Sequence, residues 1–266
     1  MRLGPRRLTV VSAIICITAI ALGIRSGSVT IGAAPAAAAE APVPFTVGET
    51  LEYDVGWSSY LTAGSATLAV REKKPSFGST AYYVVAEGRA TGMVSALYHA
   101  YYKADTLLDV YSLLPQRGSI YAEEGRRKRL RVTRFDQPKR TAQFEVTPGT
   151  VPPKAVALPG PTHDALSAIL AVRMLRLRDG LSTTIPVSDG GRVFRVRVTV
   201  RGREQLATRL GQIMAWRIEP VIMDDAGEIG ARTLRLWISD DAKKLPLLME
   251  AEMAVGTFTL TLRGAR

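Results

Sequence analysis

The chain has 266 residues, 35 Lys+Arg against 24 Asp+Glu, a formal net charge of +11 and one cysteine, Cys16. A lone cysteine excludes an intrachain disulfide, and two histidines, His99 and His163, with no Cys or His near them do not resemble a zinc site. No cofactor is expected, because phosphate-cradling glycine loops, Gly-x-Ser-x-Gly elbows and dinucleotide fingerprints are all missing.

The N-terminus reads as an export leader. Arg2, Arg6 and Arg7 form a basic opening, Leu8 to Ile24 is almost wholly apolar, and Ala37-Ala38-Ala39 before Glu40 fits a small-x-small cleavage site. The apolar run lies at the short limit of what spans a bilayer, and Arg25 ends it. We therefore expect residues 1–39 to be a signal peptide, with no transmembrane span after cleavage. Arg6-Arg7 lacks the rest of a twin-arginine signal, and Cys16 sits inside the apolar run after Ile14-Ile15, which rules against lipid anchoring. Removing residues 1–39, with four arginines and no acid, leaves 31 basic against 24 acidic side chains, or +7 on 227 residues. That length can bury a large core unaided, and the charge favours an anionic envelope surface as partner. Nucleic acid is not an expected partner of an exported chain.

From Phe45 onward the pattern has period two. Leu51, Tyr53, Val55 and Trp57 share one face of Thr50–Trp57, and Ala63–Val70 and Ala81–Ala86 repeat the habit. In Arg195–Arg201, valines alternate with Arg and Thr, as one face on a core and one in water require. Further strands are predicted at 213–223, 233–239, 245–253 and 257–263, with turn chemistry at Asp224–Gly227 and Asp240–Lys243. Roughly a dozen strands at hairpin spacing predict an antiparallel sheet. One helix interrupts them, at about 162–179. Leu166, Ile169, Leu170, Met174 and Leu177 recur at helical spacing, Thr162 is the expected N-cap, Asp164 and Arg173 suit the helix dipole, and Gly180 is placed as C-cap. Val151–Pro161 is the only plausible internal boundary, and residues 40–266 are expected to form one β-rich domain.

Candidate chemistry is thin. His163, Asp164 and Ser167 contain triad ingredients, but a triad requires convergent geometry, and helix capping accounts for Asp164. Asp224-Asp225 and Asp240-Asp241 lack the spaced ligand pattern of a calcium loop, so no metal site is expected. The densest charge is Gly125–Arg134. Arg127, Arg129 and Arg131 share a strand face roughly 7 Å apart, either an anion-binding ladder or a solvated hairpin end. Tyr53, Trp57, Tyr98, Tyr102 and Trp237 are the candidate lining of an apolar ligand site, with plain core as the competing reading.

Phe45-Thr46-Val47-Gly48-Glu49-Thr50-Leu51-Glu52-Tyr53-Asp54-Val55-Gly56-Trp57, with Ala63-Gly64 opening the next strand, resembles the start of the bacterial family domain of unknown function 3108. Tyr102 through Asp109, Leu114-Pro115, Phe135-Asp136, Leu236–Asp241, Leu245-Pro246 and Val255-Gly256 continue the likeness. The resemblance implies an exported, strand-rich protein; it carries no catalytic residues.

The expected architecture is mainly β: a single antiparallel, strongly curved sheet or open β-barrel with the helix on its concave face or mouth. The expected function is non-enzymatic: a periplasmic binding or accessory protein holding a lipid or acyl chain. The alternative is a structural protein of envelope assembly, docking by a basic face on lipopolysaccharide or a partner protein. Either would act in the periplasm or on the periplasmic face of the outer membrane. A cavity of several hundred Å³ would favour the first, and a filled core with an exposed arginine ladder the second.

Overall fold

A computed structural model describes residues 39–58, 61–97, 99–149, 152–224, 227–228, 233–253 and 256–266. Residues 1–38 of the expected leader, Tyr98 and Asp225 lie outside these residues. The period-two pattern becomes fifteen strands among the described residues, joined in one sheet. In chain order they are β1 (Thr50–Trp57), β2 (Leu61–Ser76), β3 (Ser79–Ala90), β4 (Ala100–Asp109), β5 (Pro115–Glu124), β6 (Arg127–Asp136), β7 (Thr141–Thr147), β8 (Lys154–Ala157), β9 (Ser182–Asp189), β10 (Arg192–Thr208), β11 (Gly211–Asp224), β12 (Gly227–Glu228), β13 (Thr233–Ser239), β14 (Pro246–Met253) and β15 (Gly256–Ala265).

Every named pairing is antiparallel. The order runs β8-β7-β6-β5-β4-β3-β2-β1-β15-β14-β13-β11-β10-β9, with β12 beside β11. Pairing of β1 with β15 therefore joins the two halves of the chain in the middle of the sheet.

So many twisted strands curl. Buried apolar residues of these strands gather into clusters. Leu51, Tyr53, Leu68, Val84, Leu108 and Leu262 belong to one core cluster, and Val196, Val198, Val200, Ile218 and Ile238 to a second. Each fully buried Val, Leu or Ile contributes roughly 1.5–3 kcal/mol. That sum exceeds the roughly 1 kcal/mol range of strand propensity, so burial sets the register.

The edges β8 and β9 do not pair with each other. The sheet rolls until its β6–β8 end overlaps the β9–β10 corner, where Val193 packs on Phe135, Ala142, Phe144 and Val156. Gly191 makes this overlap close: its φ is +72°, and a Cβ there would lie 2.7 Å from the Phe144 ring. Residues 158–163 stitch the seam. Leu158 N–H donates to the Arg140 carbonyl at 2.9 Å, and His163 N–H donates to the Pro186 carbonyl at 2.6 Å. His163 also forms a parallel bridge to Val187 on β9.

Among the described residues two helices accompany the sheet where one was expected. Helix α1 (Gly92–Leu97) links β3 to β4 at the rim. Six residues without a charged cap are too short to leave a periodic signature. Helix α2 (Ala165–Met174) crosses the concave face, and it is shorter than the expected 162–179. Its N-cap is Asp164 rather than Thr162, because the Thr162 hydroxyl donates to Gly160 and His163 is held by β9. Leu175 ends the helix in extended conformation, where Lys244 Nζ donates to its carbonyl. Leu175 and Leu177 then pack against the second cluster, and Gly180 serves a later turn instead of a C-cap.

Gly118 on β5 lets α2 come close. An added Cβ would stand 2.8 Å from Asp164 Cβ and 2.9 Å from its Cγ. We expect Gly118→Ala to displace the N-cap and cost about 1–3 kcal/mol in urea unfolding, the usual range for overpacking. An unchanged midpoint would mean that the cap is not seated against β5.

Candidate functional site

Strand directions give the roll two ends. β1, β3 and β5 end at the mouth, and β6 begins there; the segment entering β1 and the turns β2–β3 and β4–β5 lie at the base. The β5–β6 turn puts Gly125, Arg126, Arg127, Lys128 and Arg129 at the mouth, all exposed. Lys128 pairs with Glu123 at 3.1 Å. Glu123 also accepts from Tyr121 at 2.5 Å and lies 3.1 Å from His99 Nε2, and the Tyr121, Lys128 and His99 hydrogen bonds hold its pKa down at about 2. Arg126, Arg127 and Arg129 have no carboxylate partner among the described residues.

The three arginines predicted to share a face do share it, but their surroundings diverge. Arg131 is half-buried inside the roll and pairs with Asp189 across the seam at 3.4 Å, whereas Arg127 and Arg129 stay in water.

The aromatic candidates are dispersed. Tyr53 is buried; its hydroxyl donates to the Pro246 carbonyl at 3.0 Å, and burial pushes its pKa above the ordinary phenol range. Trp57, at the rim and 38% exposed, stacks on Phe258 with centroids 5.9 Å apart. Tyr102 donates to Glu124 at 2.8 Å, and buried Trp237 donates its indole N–H to Glu204. Tyr98 lies outside the described residues. Register puts Tyr53, Ala66, Gly88, Tyr102, Ala122 and Arg129 in one cross-strand row, but neither cavity described below is lined by any of the four described aromatics.

At the N-terminus of α2, polar groups gather in the interior. Asp164 Oδ1 accepts from Leu166 N–H at 2.8 Å and Ser167 N–H at 2.9 Å, while Thr106 donates to Oδ2 at 2.5 Å. Burial pushes the Asp164 carboxyl up to about 6, against the pull of these hydrogen bonds. Burial lowers His163 to about 4; its Nδ1 lies 3.2 Å from Ser167 Oγ. A cavity of about 20 Å³ lies among Gly118, Arg131, Thr133, Asp164, Ser188 and Asp189. It has room for one water, and the buried Ser188 hydroxyl, without a partner among the described residues, lines it. A second, apolar cleft of about 40 Å³ separates Ile169 on α2 from Leu234, Met249, Phe258 and Leu260.

Residues 52–263 match a family model described as a protein of unknown function, DUF3108. The chain belongs to the DUF3108 family. No curated protein matches it. Among solved structures, a β-barrel-like protein of domain of unknown function DUF1849 from Brucella abortus is similar over 82% of this chain and 97% of that one, at 12% identity and a TM-score of 0.52. A candidate exported protein with a YmcC-like fold from Bacteroides fragilis gives 10% identity and a TM-score of 0.33 over 84% and 98%. A candidate lipoprotein from Parabacteroides distasonis gives 8% and 0.32 over 84% and 98%. The first likeness establishes a β-barrel-like fold for this DUF3108 chain.

Within that fold the His163–Asp164–Ser167 group is a helix cap. Ser167 Oγ accepts from Asp164 N–H at 3.0 Å, Ser167 is fully buried, and the Asp164 carboxylate faces Thr106 and the helix rather than the imidazole. Among the described residues no group of three or more His, Cys, Asp or Glu could hold a metal, and no helix is long and apolar enough to cross a membrane. Reading the sequence alone missed Thr106, Ser188 and Asp189. Gly118, isolated in a strand, was the one available hint of close approach.

Proposed function

We propose that this DUF3108 protein is a non-enzymatic protein of the bacterial envelope that works through its surface, docking the basic β5–β6 hairpin on a phosphate-bearing surface. One observation carries the reading: the cavities described beside α2 hold only about 20 and 40 Å³, while the mouth presents four consecutive exposed cations. Ligand pockets for drug-sized molecules run from about 300 Å³, so a lipid held wholly inside takes second place. The apolar cleft beside Ile169 is the feature that keeps it a competing reading.

Arg126, Arg127 and Arg129 would supply the attraction, since Glu123 already offsets Lys128. Export by the leader and a periplasmic location belong to the same proposal. Wild-type protein should bind phosphatidylglycerol vesicles, and raising salt should weaken that binding, because exposed charges are screened within about 8 Å at physiological ionic strength. Replacing all three arginines by Glu should reduce binding at least about tenfold without changing thermal stability, the sites being exposed. Equal binding by the triple variant would overturn the docking reading. A lipid retained in native mass spectrometry would move the interior reading ahead of it.

A further inference from the structure

The roll is filled unevenly from base to mouth. Gly118 faces α2, so its cross-strand row Val84, Thr106, Gly118 and Thr133 faces inward, and all four residues are buried. Alternate residues of a strand share a face. Two rows nearer the mouth, Gly88, Tyr102, Ala122 and Arg129 therefore look into the roll as well. None of these four is buried: three are half-buried and Arg129 is exposed.

Gly88 shows what lies above that row. A Cβ built there would meet only Ala66 Cβ, at 3.9 Å, among the described residues. At Gly118 the same addition would strike the helix cap at 2.8 Å. Helix α2 thus packs on the base half of this wall. Among the described residues the mouth half is an open bowl.

The bowl is cationic at one side and apolar at the other. Arg129 and, one row further out, Arg127 face into it from β6. Their Cα atoms are roughly 7 Å apart, so two long side chains can converge on one phosphate, which guanidinium groups hold with charge-assisted hydrogen bonds. Glu124 stands opposite Arg127 in register and accepts from Tyr102 at 2.8 Å; with it counted, the group keeps one net positive charge. Across the bowl, Val55 pairs with Leu260, and Leu260 with Met249. Leu260 and Met249 line the apolar cleft beside Ile169. Arg129 and Leu260 are six strand spacings apart, about 29 Å along the curved sheet and less across it.

We infer that the bowl takes one acyl chain of a phosphate-bearing lipid, with the phosphate on Arg127 and Arg129 and the chain laid towards the apolar cleft. This rests on the reading of the hairpin as a phosphate binder, and it names the class of molecule bound there, a single amphiphile. Phosphate alone would leave the apolar wall unused, and an apolar chain alone would leave both cations without an anion. A phosphate joined to one chain complements both sides of the same surface.

The test is calorimetric titration of protein exported with its own leader and purified without detergent. The probe is lysophosphatidate below its micellar concentration. Lysophosphatidylcholine of the same chain length, which has no net charge, and inorganic phosphate are the controls. The expected result is one lysophosphatidate per protein, bound at least about tenfold more tightly than either control. Gly88→Leu puts a side chain into the bowl and should lower that affinity at least about tenfold, and Ala122→Leu on β5 should do the same. Thermal melting checks that each variant folds. Neither substitution touches the β5–β6 turn, so binding to phosphatidylglycerol vesicles should stay as in the parent. No binding of lysophosphatidate, equal affinity for inorganic phosphate, or affinity unchanged in both filled variants would each overturn the inference. So would a dimer in solution that Gly88→Leu abolishes. The vesicle experiment with the triple arginine variant reads docking alone, so the two ideas fail separately.

Discussion

Replacing Arg173 by Met should destabilise the protein by about 3–5 kcal/mol, the range for stripping one partner from a buried ion pair. Arg173 is fully buried at the last turn of α2. Its guanidinium donates to Glu49 Oε1 at 2.6 Å and Oε2 at 3.0 Å, to the Lys244 carbonyl at 3.1 Å and to the Lys243 carbonyl at 2.9 Å. Phe45 covers it, with the ring centroid 5.5 Å away. One side chain thus ties the helix, the segment leading into β1 and the β13–β14 turn. Met would fill much of the volume but leave a carboxylate and two carbonyls without their donor. Lys cannot reproduce the fork, so Arg173→Lys should recover less than half of the loss. The midpoint of urea unfolding at pH 7 measures both. A loss below about 1 kcal/mol for the Met variant would mean that water replaces the guanidinium, contrary to its burial.

That tie was invisible in the sequence, where Arg173 was expected to serve the helix dipole. Periodicity reports which face is buried, and it does so reliably where one face is apolar. β1 and β13 run over Thr50–Trp57 and Thr233–Ser239, as their alternation predicts. It cannot report what the buried face meets. The contact of Arg173 with Glu49 spans 124 residues, and that of Thr106 with Asp164 spans 58. Pairing of β1 with β15 is equally remote in sequence.

The helix ends show the same limit. Local caps favoured Thr162 and Gly180, but pairing of His163 with β9 and packing of Leu175 and Leu177 on the valines of β10 set the ends instead. At the mouth, alternation put Arg127, Arg129 and Arg131 on one face. Only the roll of the sheet turns Arg131 inward to Asp189 and leaves the other two in water.

His163 and Asp164 should make stability depend on pH in opposite directions, and the two dependences should nearly cancel in the wild type. His163 falls from 6.5 to about 4 in the folded protein, so the unfolded chain binds more protons between those values. Its contribution is present above pH 6.5 and is lost as pH falls towards 4, by about 3 kcal/mol at about 1.4 kcal/mol per unit. Asp164 rises from 3.8 to about 6, so here the folded protein binds more protons. Its contribution is present below pH 3.8 and is lost as pH rises through 6, again by about 3 kcal/mol.

Adjacent in sequence and buried together, the pair carries little net proton uptake on unfolding between pH 4 and 6.5. Removing either member uncovers the other. His163→Asn should leave a protein that loses stability as pH rises from 4 to 6. Asp164→Asn, which keeps a good helix cap, should leave one that gains stability as pH rises from 4 to 6.5. Urea unfolding at half-unit intervals of pH separates the two slopes by sign. Parallel curves for both variants and the wild type would show that the seam admits enough water to keep both groups near their ordinary values. The capped, closed seam would then be an open one.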